Sequence, residues 1–126
     1  MCDKTLLIER FQQIEEQLYT LIKGTEKIAD LDYLLTYPEG VLQINGICMC
    51  LLVVGEELKK IDQITDKQLL TLYPNISWSD VIGMRNKMAH HYFDIDTEIV
   101  FDILRFDIPP LLDTIRKIIV DLKNNF

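Results

Sequence analysis

A chain of 126 residues can bury a core of its own but is short for two separate ones, so one domain over residues 1–126 is expected. With 48% apolar and 26% charged residues the composition is globular, which excludes a disordered chain. The formal charge of −7, with no basic tail, excludes a protein that grips nucleic acid through its overall field; any such binding has to be local.

From Asp3 or Thr5, either a plausible N-cap, the residues Leu7, Phe11, Ile14, Leu18, Leu21 and Ile22 recur at steps of three and four. This predicts a long amphipathic helix that passes Gly24 and continues to about Ala29. The stretch DLDYLLTYPEG reads as an irregular or one-turn segment leading to Pro38, which suits the first turn of the next helix. A second helix is expected from about Pro38 to Ile61. Its apolar middle, ICMCLLVVG, suits a place at the centre of the fold or between two protomers.

Thr65 with Gln68 has the capping-box pattern and predicts a short helix to Tyr73, stopped by Pro74 and Asn75. Ser77 with Asp80 repeats the pattern and predicts a third long helix from Trp78 to about His91. Asp94 or Asp96 caps a further start, and the run TEIVFDILRFDIPPLLDTIRKIIVDLK predicts a helix interrupted near Asp107 and resumed at Pro109 and Pro110. No two-residue alternation is convincing. The expected fold class is all-α, an antiparallel helical bundle with short connections.

Cys2, Cys48 and Cys50 have no framework spacing and read as free thiols suited to a reducing cytosol. The N-terminus lacks the basic-then-apolar order of a signal peptide, and Gln43, Asn45 and Gly46 break the most apolar stretch short of a membrane span. A cytoplasmic protein with no membrane association is expected.

There is no glycine-rich phosphate loop, nucleophile elbow or paired zinc-ligand spacing, so no cofactor is expected. His90 and His91 diverge by about 100° on a helix and do not share a metal with Asp94 and Asp96 without unwinding. What remains is RNKMAHHYFDID. Arginine offers phosphate a planar fork of donors, and histidine titrates near neutrality. Arg85 with His90 has the chemistry for metal-free RNA cleavage: His90 takes a proton from a ribose 2′-hydroxyl or gives one to the leaving oxygen, and Arg85 stabilises charge on the phosphate.

On an ideal helix Arg85 and His90 stand about 140° apart, whereas Arg85 lies about 20° from Tyr92 and Asn86 lines up with His90. Convergence of Arg85 and His90 therefore needs the helix to end or distort near Ala89, or a second protomer to supply part of a two-fold cleft. Residue chemistry alone leaves two readings open: a catalytic set, or an arginine, a histidine and a tyrosine of no special purpose on a helical surface.

The segment WSDVIGMRNKMAHHYFDIDTEIVFDIL resembles the signature region of the HepT-like proteins of the HEPN superfamily. Their motif is an arginine, a polar residue that is usually Asn, three further residues, a histidine, any residue and a tyrosine. Arg85, Asn86, His90 and Tyr92 match it in turn. VGEELKK and DIPPLLDTI are also similar to family segments, while the first helix matches only in character.

The resemblance implies a homodimeric, metal-independent RNA endonuclease acting as the toxin of a bacterial toxin–antitoxin pair. Its partner would be an MntA-like nucleotidyltransferase antitoxin, which transfers AMP from ATP onto the motif tyrosine, here Tyr92. A bulky anionic group beside Arg85 would occupy and neutralise a phosphate site.

Two departures from the family pattern matter. His91 stands where a small or acidic residue is usual and is a second candidate base. INGICMCLLVV lacks the charged residue many relatives carry there. Glu56 is placed either to orient Arg85 from the second helix or to be an ordinary surface carboxylate. The alternative function is a catalytically silent HEPN module that binds a nucleotide or a nucleotidyltransferase partner as a regulatory or assembly subunit.

Overall fold

The computed structural model describes residues 3–90, 94 and 96–124, without the side chain of His90. Among these residues the fold is all-helical, with no strand.

Helix α1 (Lys4–Thr25) starts at Asp3, whose carboxylate accepts from the Thr5 N–H at 2.9 Å. Leu7, Phe11, Ile14, Leu18 and Leu21 form its buried stripe, at the spacing read from the sequence. The helix stops at Thr25, short of the expected Ala29. The Thr25 hydroxyl turns back to the Leu21 carbonyl, and the Arg105 guanidinium, distant in sequence, takes the Thr25 carbonyl at 3.1 Å and that of Ile28. The Thr25 carbonyl also accepts from the Ile28 N–H at 3.0 Å, so a backbone turn and a distant side chain together close the end of α1.

After the single turn α2 (Leu31–Leu34), capped by Asp30, helix α3 (Pro38–Ile64) runs for 27 residues, about 40 Å. Gly40 lets it start against α2, since a Cβ there would fall 2.1 Å from the Leu34 carbonyl oxygen. α3 buries Leu51, Val54, Leu58 and Ile61 completely but leaves Leu42 and Met49 exposed. By length and composition it is long and apolar enough to cross a membrane, with 39% of its most apolar stretch buried. This corrects the expectation that Gln43, Asn45 and Gly46 break it: they lie inside one continuous helix whose surrounding residues outweigh them.

Thr65 does not cap a following helix. Its hydroxyl donates to the Ile61 carbonyl at 2.8 Å, and Asp66 and Lys67 adopt φ of 55° and 60° so that the Lys67 N–H reaches the Asp62 carbonyl at 2.8 Å. This is a C-terminal cap. The helix expected from Thr65 to Tyr73 shrinks to a 3₁₀ turn at Leu70–Leu72.

Helix α4 (Trp78–His90) follows Ser77, whose hydroxyl donates to the Asp80 carboxylate at 2.8 Å, and packs chiefly against α3. Asp96 then caps α5 (Thr97–Asp102) by accepting from the Glu98 N–H at 2.9 Å. The expected interruption near Asp107 is a π-helical segment at Ile103–Asp107, which leads without a break into α6 (Ile108–Asn124). The wider π turn accommodates Pro109 and Pro110, which bring no N–H and crowd the carbonyl four residues back in an ordinary α turn. α6 packs along α1, and the buried apolar residues of all the long helices form one contiguous core.

Candidate functional site

Arg85 sits on the side of α4 that meets α3, and the two helices approach closely there because residue 55 is glycine. A Cβ at Gly55 would lie 3.1 Å from both the Cβ and the backbone nitrogen of Arg85 and 3.2 Å from the Val81 carbonyl oxygen. Met84 and Met88 of α4 are buried, and Trp78 anchors the N-terminal end by donating from Nε1 to the Tyr73 carbonyl at 2.9 Å.

The close approach brings Glu56 to Arg85. The Arg85 Nε donates to the Glu56 carboxylate, and its Nη1 donates to the Asn86 side-chain oxygen at 2.9 Å. Glu56 is thus in direct contact with Arg85 across the two helices. The side chains remain 33% and 35% exposed, so the pair contributes about 0–1 kcal/mol to stability. Its value is geometric. Fixing Nε points the guanidinium plane, and Nη2 has no acceptor among the described residues, so a phosphate oxygen has donors to meet.

Arg85, Glu56 and Asn86 are therefore brought together. His90 is the last residue of α4, one beyond Ala89, and its side chain lies outside the described residues, as do His91 and Tyr92. Among the described residues no group of three or more His, Cys, Asp or Glu is placed to hold a metal ion. Cys48 is buried and Cys50 partly so, and burial raises both thiol pKa values. Sequence reasoning missed Gly55 as a member of the site. The only sign of it was a glycine next to Glu56 in an otherwise bulky apolar run, a signal shared by any helix crossing.

Comparison with known proteins adds the family. The family model described as "Ribonuclease HepT-like" matches residues 25–118, which takes in Glu56, Arg85 and the π segment and leaves most of α1 outside. A protein of Methanocaldococcus jannaschii, provisionally named an RNase, is 36% identical over 115 residues, covering 89% of this chain and 96% of the relative. A second protein of that organism, named in the same way, is 29% identical over 115 residues, covering 89% and 92%. "Probable ribonuclease HepT" of Thermococcus cleftensis is 29% identical over 107 residues, covering 85% and 90%. No solved structure matches. With the family model spanning most of its length, from the end of α1 into α6, the chain belongs to the HepT-like ribonuclease family.

Proposed function

We propose that this chain is a metal-independent endoribonuclease, the toxin of a toxin–antitoxin pair. The observation that carries the reading is Arg85, aimed by Glu56 and Asn86 and followed at the family spacing by His90, in a chain that belongs to a ribonuclease family. In the reaction the ribose 2′-oxygen attacks the adjacent phosphorus as His90, or His91 beside it, takes its proton. The bond to the 5′-oxygen breaks, that oxygen picks up a proton, and a 2′,3′-cyclic phosphate remains. Arg85 binds the phosphate oxygens as charge builds on them.

The active unit is a homodimer of antiparallel helical bundles. Leu42, Met49 and Glu56 follow at seven-residue steps along one side of α3, so the exposed apolar residues lead directly to the Glu56–Arg85 pair. A second copy covering that side would bring two such pairs into one cleft. It would also cover the apolar stretch of α3 that the chain alone leaves open, in keeping with a cytoplasmic protein. The partner is an MntA-like nucleotidyltransferase antitoxin that silences the cleft by AMPylation of Tyr92.

The test compares RNA cleavage by unmodified protein with Arg85→Ala and His90→Ala. The wild type cuts and both variants do not. Unmodified wild type that leaves cellular RNA intact sinks the reading. Intact mass after co-expression with such a nucleotidyltransferase checks the modification: a species heavier by AMP units mapped to Tyr92 is expected. One observation favours the silent module instead, namely that Glu56 already neutralises Arg85. Binding of a nucleotide or of the nucleotidyltransferase, with no RNA cleavage, distinguishes it.

A further inference from the structure

We propose that the open groove between α4 and the arm formed by α5, the π segment and α6 is a docking site for a basic amphipathic helix of a partner protein. α4 packs on α3 and makes no comparable contact with that arm, and between them lies a groove of about 520 Å³. Asn75 donates to the Thr114 hydroxyl at 2.9 Å and ties the loop before α4 to α6 at one end. From Ser77 to Lys87 the α4 wall is about 15 Å long, close to three helical turns.

Both walls are helical stripes. Asp80 and Val81, then Met84 and Lys87 at steps of three, line one, and Ile99, Asp102, Ile103, Asp107 and Leu111 line the other. Such stripes interdigitate with the side-chain ridges of a third helix, and a methionine in the floor adapts to what it meets. Met84, Ile103 and Leu111 are buried, and Ile99 at the rim is half exposed.

Charge selects the occupant. Asp80, Asp102 and Asp107 are exposed at the rim and in no ion pair among the described residues, against Lys87 alone. The rim repels nucleic-acid phosphate and favours lysine or arginine flanking an apolar stripe. A second copy does not supply this. α6 carries Arg116, Lys117 and Lys123 but spends its apolar stripe on α1.

The probe is a fluorescein-labelled helical peptide of leucine and lysine, about 18 residues long so that it holds a helix, with leucines on one face. It is titrated against the full chain and read by fluorescence anisotropy. Asp102→Lys with Asp107→Lys is expected to weaken binding at least about tenfold. Glu9→Lys with Glu16→Lys, the same change in net charge on exposed positions of α1, leaves binding unchanged, as does Arg85→Ala. Circular dichroism verifies that each variant is folded. Equal binding of a scrambled peptide, or equal weakening by the α1 pair, reduces the effect to general acidity and overturns the proposal. So does light scattering in which the groove variant alone turns a dimer into a monomer, because the groove then belongs to a second copy.

Discussion

Glu56 holds Arg85 through Nε and Asn86 takes Nη1, which leaves Nη2 open among the described residues, and this division of donors makes the residues experimentally separable. Glu56→Gln keeps an acceptor and is expected to retain most RNA cleavage, whereas Glu56→Ala lowers the single-turnover rate roughly ten- to hundredfold by freeing the guanidinium. Both stay within about 1 kcal/mol of wild-type stability, because the pair is a third exposed. Equal rates for the two variants would show that Glu56 does not orient Arg85. Gly55→Ala tests the helix crossing: the added methyl meets Arg85 and Val81 at 3.1–3.2 Å, and overpacking of about 1–3 kcal/mol outweighs the roughly 1 kcal/mol gained in helix propensity. A lower midpoint in urea is expected, and a higher one would mean that α4 yields easily. Arg85 and Asn86 were legible from their spacing to His90. The part played by Glu56 was legible only as one of two readings, because which of several carboxylates on α3 faces α4 depends on where two helices cross.

At the level of elements, the apolar periodicities of α1, α3 and α6 were visible in the sequence because each buries one stripe, and steps of three and four residues record that directly. Ends were harder to read. Thr65 satisfies both a start and a stop pattern, and only the path of the chain at Asp66 and Lys67 decides between them. The end of α1 involves Arg105, which lies 80 residues away in sequence, so no local pattern marks it. Arg105→Ala is expected to cost about 2 kcal/mol in chemical denaturation, since two backbone carbonyls lose a charged donor and the ring of Phe101, 4.7 Å away, loses its cation. An unchanged midpoint would mean that water replaces the guanidinium there.

Tyr73 ties the turn after α3 to α6 by donating to the Asp121 carboxylate at 2.6 Å. Burial, then that hydrogen bond and the carboxylate's charge, raise its pKa well above the ordinary tyrosine range. A raised folded-state pKa gives stability that is complete below about pH 10 and is lost as pH climbs through the folded value. Tyr73→Phe should therefore flatten the alkaline fall in stability. A fall equal to that of wild type in alkaline denaturation would assign the loss to other groups.

For the molecule as a whole, the open question of geometry is what covers α3. Leu42 and Met49 are 70% and 59% exposed on the side that leads to Glu56. If a second copy covers them, Leu42→Asp with Met49→Asp converts a dimer to a species near 14.8 kDa in light scattering and removes cleavage, while circular dichroism stays helical. Wild type that already scatters as a monomer at micromolar concentration overturns both the dimer and the shared cleft. The all-helical fold was legible at this scale. The opening between α4 and the α5–α6 arm was not, because a stripe of apolar and acidic residues looks the same in sequence whether it faces a neighbour or a gap.

The pairing of α1 with α6 has a consequence for how the protein is made. These helices lie at opposite ends of the chain, yet α6 is the chief cover for the stripe of α1 that carries Phe11, Ile14 and Leu18. During synthesis α1 and the apolar α3 leave the ribosome first and wait for residues 108–124 before the core can close. A nascent chain halted before α6 exposes two greasy helices to chaperones and insertion machinery, and the Arg105 clamp on Thr25 is not yet seated. A fold built this way closes only after translation has passed α6.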